Sequence, residues 1–121
     1  RVSLIDERGE VAVMVRGRPQ MDVGPRTDVL DACPKALGIP MALRAMNPQV
    51  IAVDEITAEA DARALLRAAN CGVRLLATAH GTSAADFRRR SVYRPLAESG
   101  VFQTLLILRQ DKSFRAERAA L

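Results

Sequence analysis

Val50-Ile51-Ala52-Val53-Asp54-Glu55 places four apolar residues directly before two carboxylates, the pattern of a Walker B motif. Cleavage of a nucleoside triphosphate needs two acids at such a place. One holds Mg2+, usually through water, because that cation prefers oxygen ligands. The next orients or deprotonates the water that attacks the γ-phosphate. Successive residues at a strand end point to different sides, so Asp54 and Glu55 can divide these roles. The same residues also describe a buried strand running into a polar turn.

Two other places offer matching chemistry. Asp6-Glu7 ends the short strand that begins at Val2; it reads as a second acidic element that places water or metal, or as a charged turn completed by Arg8-Gly9. Thr78-Ala79-His80 follows a third apolar run and holds the one histidine. An imidazole near a γ-phosphate can hydrogen-bond it and pass the state of hydrolysis to the helix that follows. The Thr78 hydroxyl can assist; an ordinary surface histidine is the bland alternative for His80. Arg16, Arg18 and Arg26 lie in a stretch rich in Gly and Pro. A cation there can neutralise transition-state charge. Arg26, between Gly24-Pro25 and Thr27-Asp28, is the preferred candidate, with a solvated loop arginine as the alternative.

These residues need elements to hold them. Residues 2–6, 49–55, 73–78 and 101–108 read as strands, and 11–15 as a further apolar segment. Residues 36–46, 58–70, 84–90 and 95–99 read as helices, with a late start near Pro40 open for the first. Residues 16–34 read as a long loop, and the end of the chain as a charged tail. Val50–Val53 is apolar on both faces, as strands buried in a parallel sheet are. Strands alternating with helices give an α/β class with a mainly parallel sheet flanked by helices. In such a sheet, ligands bind beyond the carboxyl ends of the strands. If the strands ending in Asp6-Glu7, Asp54-Glu55 and Thr78-His80 are neighbours, four carboxylates and the imidazole converge on one edge.

Composition narrows the classes. The 121 residues have the length of one domain. No apolar run nears the roughly 20 residues that span a bilayer. Cys33 and Cys71 form no CxxC pair, which excludes a zinc ribbon, and they read as reduced thiols of a cytosolic protein. Aromatics make up 3% and Trp is absent, against a base-stacking platform. Eighteen Lys and Arg oppose fourteen Asp and Glu, for a net charge of +4. All but Lys35 and Lys112 of the cations are Arg, whose planar fork suits phosphate. The cations read as spread along the chain, and Arg88-Arg89-Arg90 alone is too short to imply nucleic acid.

Ile5-Asp6-Glu7-Arg8, then residues 20–31, then 48–55, then Thr78-Ala79-His80-Gly81, in this order, resemble the stage III sporulation protein AA family. The most specific parts are residues 22–35, Val53-Asp54-Glu55-Ile56 and Thr78-Ala79-His80-Gly81. These are ATPases of endospore-forming bacteria, related to the secretion ATPases of type II and type IV systems. The resemblance implies a RecA-like P-loop ATPase core, with Asp6 and Glu7 on its Asp box, Asp54 and Glu55 on Walker B, and His80 on its His box. It implies Glu55, Glu7 and His80 as catalytic residues, Asp54 and Asp6 on the metal, and Arg26 and Thr78 toward nucleotide. Arg26 falls in a segment whose arginines, in the wider group, reach the nucleotide of a neighbouring subunit. Implied cofactors are ATP and Mg2+. Implied partners are further copies in a ring, commonly a hexamer, and the membrane-embedded proteins of a sporulation channel. The implied location is the cytoplasmic face of a membrane.

One departure matters. No G-x-x-x-x-G-K-[ST] occurs, so the chain lacks the backbone cradle for phosphates. The chain starts without Met, inside a strand, and reads as the C-terminal half of the ATPase core, a single domain over 1–121 that binds ATP poorly alone. Two alternatives stay open: a nucleic-acid-associated ATPase or binding module, and a non-catalytic interaction subunit.

Overall fold

The structure is a computed structural model and describes residues 1–119. It comprises two compact units, Arg1–Ala79 and His80–Leu121.

In the first unit the strands are β1 (Val2–Asp6), β2 (Met14–Val15), β3 (Arg18–Pro19), β4 (Thr27–Asp31), β5 (Val50–Val53) and β6 (Arg74–Ala77), with helices α1 (Lys35–Ala45) and α2 (Glu59–Asn70). Four strands form one sheet in the order β4-β1-β5-β6, and every pairing in it is parallel. The class is α/β, as the alternation of strands and helices requires. Ile5 and Ile51 are fully buried, as continuous apolar strands covered by helices should be.

Helix α1 lies close on β1 because Gly38 has no side chain. A Cβ there would meet Ile5 Cγ2 at 2.9 Å and Cys33 Sγ at 3.0 Å. Pro40 sits inside α1 rather than at its start; the helix begins at Lys35 because its first amide has a partner from outside the helix, described below. Helix α2 buries Ala62, Leu65 and Ala68, the 3–4 residue spacing of one apolar stripe, and packs on α1 and β6.

Residues 16–34 are not one loop. They begin with the turn of the β2–β3 hairpin and β3, and the two linking residues Arg16 and Gly17 both have positive φ, 52° and 77°, the requirement of a tight primed turn. They also hold β4. Only Leu30 of β4 is buried, so Thr27, Asp28 and Asp31 hide the strand from hydrophobic patterning; the pairing with β1 makes it a strand.

The second unit contains α3 (Ala84–Arg89), α4 (Arg94–Ser99), β7 (Thr104–Leu108) and β8 (Phe114–Arg118). Helix α3 is capped by the Ser83 hydroxyl, which accepts from the Asp86 amide. Helix α4 ends on Gly100 in the left-handed region. The charged tail contains β8, antiparallel to β7; four of its five residues are exposed, and pairing with β7 defines it. Among the described residues, no helix is long and apolar enough to cross a membrane.

Candidate active site at the carboxyl edge of the parallel sheet

Register places the acids. Asp6 pairs with Asp31 of β4, and Ile5 pairs with Val53, so Asp6 and Asp54 leave neighbouring strands side by side. Val53 pairs with Ala77, which brings Thr78 beside Asp54. The chain leaving β1 travels to β4 on one flank, while the chain leaving β5 travels to β6 on the other. That reversal makes the β1–β5 boundary the switch point where parallel sheets open a crevice. Both acidic couples border it.

Thr78 fixes the Asp54-Glu55 turn. Its hydroxyl donates to Asp54 Oδ1 at 2.6 Å and accepts from the Glu55 amide at 2.7 Å. The Ile56 amide then donates to the Thr78 carbonyl at 2.9 Å. These bonds hold Glu55 at φ 57°, a left-handed conformation that a side chain other than Gly's adopts at a cost of about 1–3 kcal/mol. The Glu55 carboxylate forms an ion pair with Arg8, from the exit of β1. The two acidic segments are thus joined across the crevice.

The β1 acids differ from each other. Asp6 is fully buried. Its Oδ1 accepts from the amides of Glu10 at 3.1 Å and Val11 at 3.4 Å, and its Oδ2 from those of Val11 at 3.3 Å and Ala12 at 2.9 Å. Both oxygens face amide hydrogens, whose positive ends repel a cation. The carboxylate anchors the loop after β1, and this set of donors does not fit a metal ligand. Glu7 accepts at Oε1 from the Lys35 amide at 2.8 Å and from Lys35 Nζ at 3.1 Å. It supplies the cap that Pro34 cannot, which is why α1 starts there. The bond from the Lys35 amide holds the Glu7 carboxyl below the usual glutamate range; burial opposes it, and the Lys35 ammonium adds to the lowering.

Asp54 is half-buried, at the crevice. A single carboxylate suits Mg2+, which keeps most of its water shell. No group of three or more His, Cys, Asp and Glu gathers as a metal cage among the described residues. His80 is exposed and opens the second unit, two residues after Thr78 along the chain.

Arg26 stands elsewhere. Its carbonyl accepts from the Val2 amide at 3.0 Å, at the start of β1 and β4, so it lies at the amino edge. The length of a five-residue strand, about 15 Å, separates the two edges. A cleft bordered by residues 47–50 and 71–74 also opens at the amino ends of β5 and β6; it contains no acid or histidine, and the residues with chemistry lie at the opposite edge. Sequence reasoning passed over Arg8, Lys35 and Asp61. Their only local signal was position, next to Glu7, at a helix start and in the first turn of α2.

The family model described as "Sporulation stage III, protein AA" matches residues 1–117. The chain belongs to that family. It is 44% identical over 112 residues, 93% of its length, to the stage III sporulation protein AA of Bacillus subtilis (strain 168). The match spans 36% of that relative, so the chain covers about a third of it. The match to this sporulation family takes in β1, β5, β6 and all the acids of the crevice.

Proposed function

We propose that this chain supplies the water-activating half of an ATPase site in a complete sporulation protein, and that hydrolysis there powers a secretion-like membrane assembly during endospore formation. The observation that carries the reading is the switch-point crevice: Asp54, Glu55 and Thr78 in hydrogen-bonded array on one side, Glu7 and Arg8 on the other. A magnesium nucleotide bound there would bring the phosphate to be cleaved and the cation that neutralises its charge. Asp54 fits the magnesium through water. Glu55, held in its strained turn, orients the attacking water or takes its proton, and Arg8 balances its charge until nucleotide enters. Glu7 supports the water from the neighbouring strand. Asp6 acts through the loop that it anchors. His80 would sense the γ-phosphate, and Arg26, remote from the crevice, is suited only to the site of a neighbouring copy in a ring. The phosphate-cradling loop would come from sequence beyond these 121 residues.

The test is Glu55→Gln in the complete protein. ATP binding should persist while turnover falls steeply. Turnover within about threefold of the parent, roughly 0.7 kcal/mol, would remove Glu55 from the proposed role.

A second reading has one observation behind it. Eight of the eighteen cations but only four of the fourteen acids fall in residues 80–121, so the whole excess charge belongs to the second unit. Arg89, Arg90 and Arg94 are exposed there. A nucleic-acid partner would bind this unit with a steep dependence on salt; undiminished binding across a salt titration, or none, would count against it.

A further inference from the structure

Lys35 is placed against the ordinary rules for lysine. Its side chain is only 4% exposed, and removing an ammonium from water costs several kcal/mol. It is also the first residue of α1, where the helix dipole disfavours a cation. A methionine of similar length would avoid both costs. What the ammonium gains is contact with two carboxylates from different elements: Glu7 Oε1 at 3.1 Å and Asp61 Oδ2 at 3.9 Å.

Each partner leads to the crevice. Glu7 follows β1 and neighbours Arg8, which pairs with Glu55. Asp61 Oδ2 accepts from the Thr57 amide, the Ala58 amide and the Thr57 hydroxyl, at 3.1, 3.1 and 3.3 Å. It thereby fixes the chain just after Glu55 and Ile56. We infer that Lys35 is a positioning residue of the crevice: through Glu7 on one side and Asp61 on the other, it sets the spacing between the exit of β1 and the Asp54-Glu55 turn. Neutral side chains could fill the space but could not hold both carboxylates. The inference rests on the ATPase reading for its catalytic consequence, and on geometry alone for the link itself.

The experiment has two arms. In the 121-residue chain, the Glu7 carboxyl is titrated by carbon NMR in the parent, Lys35→Met and Lys35→Arg. The Glu7 midpoint should rise toward the ordinary glutamate value in Lys35→Met and return in Lys35→Arg. In the complete protein, Lys35→Met should lower turnover by roughly tenfold with the KM for ATP little changed, move the acid limb of the pH profile upward, and recover in Lys35→Arg. Lys35→Gln, which keeps a donor, takes its place if Lys35→Met does not fold. An unmoved Glu7 midpoint, or unmoved turnover in a protein that hydrolyses ATP, overturns the inference. A parent protein that binds ATP without hydrolysing it overturns the ATPase reading and with it the catalytic role given to Lys35; the link then stands or falls on the Glu7 titration.

Discussion

Asp6→Asn separates two views of the acid after β1 by the sign of a stability change. The carboxylate accepts from three backbone amides, and its shortest bond, from Ala12, is 2.9 Å. An asparagine of the same shape turns one oxygen into an NH2 that faces amide hydrogens. At least one buried amide then loses its acceptor, which costs about 1–3 kcal/mol. The bonds that remain become neutral ones, about half as strong as charge-assisted bonds. Together the loss should be about 2–4 kcal/mol. Were Asp6 instead a cation ligand kept near Asp31, Asp54 and Glu7, removing its charge would relieve repulsion and stabilise the metal-free chain by about 1 kcal/mol. The chain has no tryptophan, so urea unfolding is followed by circular dichroism, with hydrogen exchange at the Glu10, Val11 and Ala12 amides as the local readout. Unchanged or increased stability, with those amides still protected, would refute the anchoring role.

Two further outcomes follow from the same geometry. Gly38→Ala gains about 1 kcal/mol of helix propensity, but its Cβ would stand 2.9 Å from Ile5 Cγ2, and overpacking a core costs about 1–3 kcal/mol; a net loss near 1 kcal/mol is expected in urea unfolding, and a gain of that size would mean that α1 does not approach β1 so closely. In the second unit, the hydrogen bond from Arg90, then that from the Thr82 amide, holds Asp86 below its ordinary value of 3.8. A depressed folded value means that its stabilisation is complete above that ordinary value and disappears as pH falls through the lower folded one. Asp86→Asn should flatten this acid loss in pH-dependent unfolding of the second unit, and an unaltered acid profile would assign the loss to other groups.

The elements with strong local patterns are legible from residue order alone. Val50–Val53 is apolar on successive residues, Val2, Leu4 and Ile5 make a short apolar strand body, and the stripe through Ala62, Leu65 and Ala68 repeats at the helical spacing, so strand and helix follow from local preference and burial. The acids at the strand ends were legible for the same reason, since polar residues stop a buried run. Tertiary structure decided the rest. The polar strands β4 and β8 exist only because β1 and β7 offer them backbone partners. Nothing local distinguishes Asp6, whose oxygens are consumed by the amides of Glu10, Val11 and Ala12, from Glu7, which reaches across to Lys35. Arg26 reads from the sequence as the preferred cation for a phosphate, and only strand direction puts it at the end of the sheet away from the acids. Side-chain partners depend on which distant segments the fold brings within about 3 Å, and hydrogen bonds act only at that range.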